Sequence, residues 1–124
     1  MSLDPQLEPL RDALLARKGT VEEFPFGPEA MVFKVAGKMF ALIAWEEDPL
    51  RISLKCDPER ALELREAHDA IIPGYHFNKR HWNTIMLDRS LADELVHELI
   101  DHSYDLVVAG LSRAQRDALG EIQP

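Results

Sequence analysis

The sequence predicts an α+β fold, a two-layer α-β sandwich with helices over one face of an antiparallel sheet and the other face left to solvent or a partner. Apolar residues recur at helical spacing in Leu7, Leu10, Leu14 and Leu15, and again in Leu91, Leu95, Leu99 and Ile100, toward the two ends of the chain. Between them, Met31 to Trp45, Arg51 to Lys55 and His81 to Leu87 have the strand-like patterning of half-buried β-structure. Charge follows the same division. Met31 to Trp45, Arg51 to Cys56 and Pro73 to Leu87 hold six Lys or Arg and no Asp or Glu, so a chain of net charge −8 carries −14 in the remainder. One sheet face is therefore expected to present a local potential opposite in sign to that of the whole protein.

In Asp4-Pro5 the aspartate suits a helix N-cap and the proline its first turn, and the leucine stripe carries this helix to about Gly19. Thr20-Val-Glu-Glu23 has the spacing of a capping box and predicts a short helical turn before Pro25-Phe26-Gly27. A β-hairpin follows, with Gly37-Lys38 as a two-residue type II′ loop that sets Val35 opposite Phe40 and Phe33 opposite Leu42. In that register these four share the core face, while Lys34, Met39, Ala41, Ile43 and Trp45 share the outer one. After Glu46-Glu47-Asp48-Pro49, the strand Arg51 to Lys55 turns Ile52 and Leu54 inward and Arg51, Ser53 and Lys55 outward.

Asp57-Pro58 starts the next helix, with Ala61, Leu62, Leu64 and Ala67 as its apolar side, and the helix ends before Ile71-Ile72-Pro73-Gly74. Extended segments at Tyr75 to Phe77 and His81 to Leu87, joined by Asn78-Lys79-Arg80, form the next pair. Asn83, Ile85 and Leu87 then face the core, and Trp82, Thr84 and Met86 the outside. Ser90-Leu-Ala-Asp93 opens the long last helix, whose stripe continues through Tyr104, Val107 and Val108 to Gly110, and Ser112 caps a short terminal helix.

At 124 residues and 46% hydrophobic content, the chain suits a single domain over 1–124 that buries its own core without disulfides or a structural metal. No apolar run approaches the roughly 18 residues of a membrane span, and Met-Ser-Leu-Asp-Pro lacks the basic start and apolar core of a signal peptide. A cytoplasmic location is expected. Cys56 is the sole cysteine, so neither an intrachain disulfide nor a multi-cysteine metal site can form, and a small buried residue at a strand end is the expected role. There is no Gly-rich phosphate loop, serine elbow or Cys-His pair at a recognisable spacing, so no cofactor and no enzymatic role is expected. The enzyme alternative is an imidazole of His76 or His81 acting as general base beside Asn78, Lys79 and Arg80. Asp93, His97 and Asp101 lie along one helical side but lack a fourth ligand, and they read as a solvated face.

Pro25-Phe26-Gly27, Val32-Phe33-Lys34-Val35, Gly37-Lys38-Met39-Phe40-Ala41, Ser53-Leu54-Lys55-Cys56-Asp57-Pro58, Pro73-Gly74-Tyr75-His76, Asn78-Lys79-Arg80-His81-Trp82 and Ser103-Tyr104-Asp105-Leu106-Val107 occur in that order. Together they resemble the MmcQ/YjbR family over about residues 7 to 111. The resemblance implies a CyaY-like (frataxin-like) α-β sandwich, a "double wing" arrangement and a description as DNA-binding, and it implies no reaction. Iron handling in the related fold relies on an acidic ridge along the first helix and the edge strand. Here Asp4, Glu8 and Asp12 are interspersed with Arg11, Arg17 and Lys18, a departure that argues against iron and leaves no metal expected.

The expected site is the basic outer face, with Lys34, Lys38, Lys55, Tyr75, His76, Asn78, Lys79, Arg80 and Trp82 as its binding residues. Basic side chains interleaved with aromatic rings offer phosphate contacts and stacking surfaces to DNA. Against that stand the net charge of −8, a pI near 5.0 and the absence of any helix-turn-helix or zinc-finger signature. The alternative partner is an acidic protein or a small anion on the same face, with Trp82 as anchor and the lysines steering.

Overall fold

The computed structural model describes residues 3–74 and 77–120. The chain runs α1 (Leu7–Leu15), β1 (Thr20–Glu23), β2 (Ala30–Val35), β3 (Lys38–Ala44), β4 (Arg51–Lys55), α2 (Pro58–Ala67), β5 (Ile71–Pro73), β6 (Trp82–Met86), α3 (Asp93–Ala109) and α4 (Arg113–Gly120). The six strands form one antiparallel sheet in the order β1-β2-β3-β4-β6-β5. The α+β expectation holds. Helix α3 packs on β2, β3 and β4, α1 on β1, and α2 on β5 and β6.

Register decides what each face carries. Phe33, Ala41 and Leu54 align across the sheet, as do Met31, Ile43, Ile52, Ile85 and Ile71, and these rows meet Leu7, Leu10 and Leu14 of α1 and Val96, Leu99, Ile100 and Val107 of α3 in one core. The other face carries the rows Val32, Leu42, Ser53, Thr84 and Ile72, and Ala30, Ala44, Arg51 and Met86.

Several local expectations are corrected. The β2–β3 turn is Ala36-Gly37, both at positive φ (50° and 77°), with Val35 opposite Lys38, as in a type I′ turn. An alanine in the left-handed region is unfavourable, which is why the sequence favours Gly37-Lys38 as the loop. An irregularity beside Phe33/Lys34 then pairs Lys34 with Met39 but Phe33 with Ala41, so Phe40 and Ala41 are both buried. The register moves with it: Ala41 and Ile43 face the helices, and Leu42 faces out.

Thr20–Glu23 is strand, not helical turn, because its charges alternate in use. Glu22 faces the helices and accepts both Nε (2.5 Å) and Nη2 (2.8 Å) of Arg11, while Glu23 on the opposite side lies 3.5 Å from Lys34. This contact, together with the carboxylate's charge, raises the Arg11 pKa. Besides β4, β6 pairs with Ile71–Pro73, where the sequence marks only the end of the preceding helix; the strand expected at Tyr75 to Phe77 falls partly outside the described residues, and Phe77 itself is a bend. In α2, Leu62 and Ala67 are exposed and only Ala61 is buried, with Leu64 packing partly against the core.

The caps agree more closely. Asp57 accepts the Arg60 amide at 3.2 Å, and Ser112 and Gln115 exchange bonds of 3.0 and 3.1 Å at the start of α4. Asp4 caps a turn instead of α1, which starts at Leu7. Asp88 and not Asp93 is the partner of Ser90, which holds the Asp88 carboxyl below its ordinary pKa.

Candidate functional site

The outer face of the sheet is concave. A groove of about 550 Å³ lies over the central strands, with Leu42, Ala44, Ser53 and Thr84 among its floor residues. Apolar and hydroxyl side chains share this floor, and the Ser53 and Thr84 hydroxyls bond to each other at 2.8 Å across the β4–β6 pair. Two loops make the walls. Phe26, in the β1–β2 connection, is 64% exposed, and Phe77, in the β5–β6 connection, stands on the other side.

Each wall is pinned from beneath. The Trp45 indole donates from Nε1 to the Pro28 carbonyl at 2.8 Å, tying the Phe26 loop to the end of β3. Gly27 has φ +114°, a backbone conformation that residues with a side chain rarely adopt, so the turn needs glycine there. Phe77 stacks on Trp82, with ring centroids 4.6 Å apart and planes 19° apart. Beneath that stack, the Gly74 amide donates to the Trp82 carbonyl at 2.9 Å.

Electrostatics divides the face along the strand direction. At the groove end, Arg51 is accompanied by Glu29, Glu46 and Glu47. Arg51 forms no ion pair with any described residue, and its Nε is buried without a hydrogen-bond partner. The expected basic residues gather at the opposite end, where β2 turns into β3, β4 ends and β6 begins. Lys55 pairs with Trp82 across the β4–β6 ladder, and Lys38 is exposed beside the β2–β3 turn.

Lys79 and Arg80 are not over the sheet; they line a shallow depression against α2 with Leu62 and Arg65, and Arg65 donates to the Lys79 carbonyl at 2.8 Å. Asn78 shapes this turn, its Oδ1 accepting the Arg80 amide at 2.9 Å. Lys34 is engaged by Glu23. Tyr75 and His76 lie outside the described residues. The structure thus brings Lys55 and Trp82 together, sets Lys79 and Arg80 to one side, and reveals a groove of which the sequence points to Arg51, Ser53 and Thr84 as outward positions and Phe77 as a stacking ring, but not to Phe26, Glu29, Leu42 or Ala44 as site residues. For Phe26 a signal existed, since an aromatic ring between Pro25 and Gly27 has little reason to be buried.

Asp101, once grouped with Asp93 and His97, pairs with Arg17 at 2.6 Å. Cys56 is 4% exposed, and burial pushes its thiol pKa up. Iodoacetamide at neutral pH is therefore expected to leave Cys56 unmodified in the folded protein and to alkylate it fully in denaturant, as intact-mass measurement would show. Rapid native modification would contradict this placement.

A family model described as YjbR matches residues 15–106. The chain belongs to the YjbR family. The Escherichia coli K12 protein YjbR, itself described as uncharacterised, is 34% identical over 108 residues, 87% of this chain and 92% of that protein. The uncharacterised YbdF of Escherichia coli O157:H7 is 40% identical over 90 residues, 73% of this chain and 74% of that one. Among solved structures, the Deinococcus radiodurans protein DR2400, described by the domain name DUF419, superposes with a TM-score of 0.87 at 46% identity, covering 92% of this chain and 87% of that one. A Pseudomonas syringae protein superposes with a TM-score of 0.69 at 29% identity, covering 83% and 97%.

Several residues that carry the YjbR resemblance have structural roles in this chain. Ser103 is wholly buried; its Oγ donates to the Phe40 carbonyl at 2.6 Å and accepts the Lys55 amide at 2.9 Å, joining α3 to β3 and β4. Tyr104 stacks edge-on against Phe40 and donates its hydroxyl to the Lys18 carbonyl, and burial raises its pKa above the ordinary tyrosine value. No helix among the described residues is long and apolar enough to cross a membrane.

Proposed function

We propose that this protein is a non-enzymatic binding module, a single domain of CyaY-like architecture that works in the cytoplasm and holds its ligand on the outer face of the sheet. The observation that carries this reading is the groove between the Phe26 and Phe77 loops. It is concave, mixed apolar and polar, and within the roughly 300–1,000 Å³ that small-ligand sites occupy. A small charged ligand with an apolar body fits these surroundings better than a polymer does. The net charge of −8 and the three glutamates at the groove's rim oppose a polyanion there.

A thermal-shift screen over amino acids, nucleotides and small carboxylates tests the reading. A ligand at about 100 times its Kd is expected to stabilise the fold by roughly 2.7 kcal/mol. The shift should vanish in Leu42→Trp, which fills the floor. Stabilisation that survives this filling would place the site elsewhere.

DNA binding is the second reading, and a separate observation favours it. Lys38, Lys55, Lys79 and Arg80 make no ion pair with described residues; Lys38 and Lys55 lie toward the end of the sheet where Phe77 and Trp82 stack and Lys79 and Arg80 beside it against α2, which suits single-strand contact with the β2–β3 turn and the Asn78-Lys79-Arg80 turn as the two "wings". Fluorescence anisotropy with labelled single- and double-stranded DNA at low and near-physiological salt is the test. This reading requires salt-sensitive binding that is lost in Lys79→Glu with Arg80→Glu while the melting temperature holds. No binding even at low salt removes it.

A further inference from the structure

We infer that the groove takes a zwitterionic molecule of the amino-acid type, with its carboxylate on Arg51, its ammonium toward the glutamate rim and an apolar side chain between Phe26 and Phe77. This deepens the small-ligand reading above and rests on it. The inference comes from charges of both signs in one mouth. Arg51 presents a guanidinium whose buried Nε has no partner and which no described carboxylate neutralises. Arg51 lines the groove with no ion pair to a described residue, and the planar fork of N–H groups of a guanidinium matches a carboxylate.

Glu29, Glu46 and Glu47 line the same groove, so the formal charge of its lining is −2. A simple anion would satisfy Arg51 and be repelled by the rim. A simple cation would satisfy the rim and leave the arginine unpaired. A molecule with a carboxylate and an ammonium on neighbouring carbons answers both. Between the charges the lining is Phe26, Ala30, Leu42, Ala44 and Phe77, which selects an apolar side chain. Glu29 follows Gly27 in the same connection, its carboxylate beside that glycine, so the acidic side of the mouth is part of the Phe26 turn.

Calorimetric titration of the full chain with three probes of equal size tests this: L-phenylalanine, L-phenylalaninamide without the carboxylate, and 3-phenylpropionate without the ammonium, below the α-amino pKa of about 7.7. L-Phenylalanine is expected to bind most tightly, with each of the others weaker by roughly 10- to 100-fold, the loss of one charged hydrogen-bonded contact. In Arg51→Met the preference over the amide should disappear while the preference over 3-phenylpropionate remains. The probe comparison needs no variant, so it stands even if Arg51→Met folds poorly. Equal binding of all three probes, or failure of all three while another class binds in the groove, overturns the zwitterion and leaves the binding module. Failure of every class in the groove overturns both.

Discussion

Replacing Gly74 by alanine is expected to destabilise the protein and to break the Phe77–Trp82 stack. A Cβ on Gly74 would lie 2.7 Å from the Trp82 Cβ, closer than real Cβ atoms come, and in tight contact at 3.0 Å with its carbonyl oxygen. Neither atom can yield cheaply, because Trp82 begins β6 and its carbonyl accepts the Gly74 amide. The connection after β5 must move instead, and Phe77 moves with it. A cost of roughly 1–3 kcal/mol follows from such overpacking. The two indole N–H resonances in a heteronuclear NMR spectrum separate the effects, since Trp82 should shift while Trp45, held to Pro28, stays. An unchanged Trp82 resonance would mean that the glycine is not what seats the loop. Loss of the stack also removes one wall of the groove, so ligand affinity should fall further than stability alone explains.

Ser103→Ala should cost more. Its hydroxyl donates to the Phe40 carbonyl at the β3 irregularity and accepts the Lys55 amide beyond the β3–β4 register. Alanine leaves a buried carbonyl and a part-buried amide unsatisfied, at roughly 1–3 kcal/mol for each group. A loss of about 2–4 kcal/mol should lower Tm by about 10 °C in a domain of this size. Tyr104→Phe is the control: the Lys18 carbonyl it abandons is only part-buried and can turn to water, so its loss should be smaller. Equal melting of Ser103→Ala and the parent protein would show that water or a shifted backbone replaces the hydroxyl. The test bears on function because Lys55 and β4 carry the outer face.

The sequence made the layers legible because periodicity is a property of residues alone. The leucines of α1 and the stripe of α3 could be placed on helix faces, and Ile52, Leu54 and Ile85 on strand faces, without any tertiary knowledge. What failed depended on long-range partners. Thr20–Glu23 looks like a capping box until Arg11 and Lys34 claim its two glutamates from opposite sides. The β2–β3 register failed because Ala36 adopts a positive φ and an irregularity follows, two local costs that packing of Phe40 and Ile43 against α3 offsets. One such slip exchanged Leu42 with Ile43, which hid the groove floor.

The site was half legible for a related reason. Segregation of basic residues into the strands pointed to the outer face, and Lys55 and Trp82 do meet there. Yet Lys79 and Arg80 sit in a connection that turns toward α2, and a turn's direction is set by contacts such as Arg65 with the Lys79 carbonyl. The groove itself arises from loops that approach only in three dimensions. No spacing in the chain relates Phe26 to Phe77, or Glu29 to Arg51.

The most direct test of the outer face as the ligand site is a backbone-amide NMR titration of the labelled protein with amino acids, nucleotides, small carboxylates and a short single-stranded oligonucleotide. The expected result is a saturable shift change for at least one of these probes, centred on Leu42, Ala44, Arg51, Ser53 and Thr84 and fading toward α3. Saturable changes centred on the helices, or none from any probe at millimolar concentration, would contradict the assignment of function to this face.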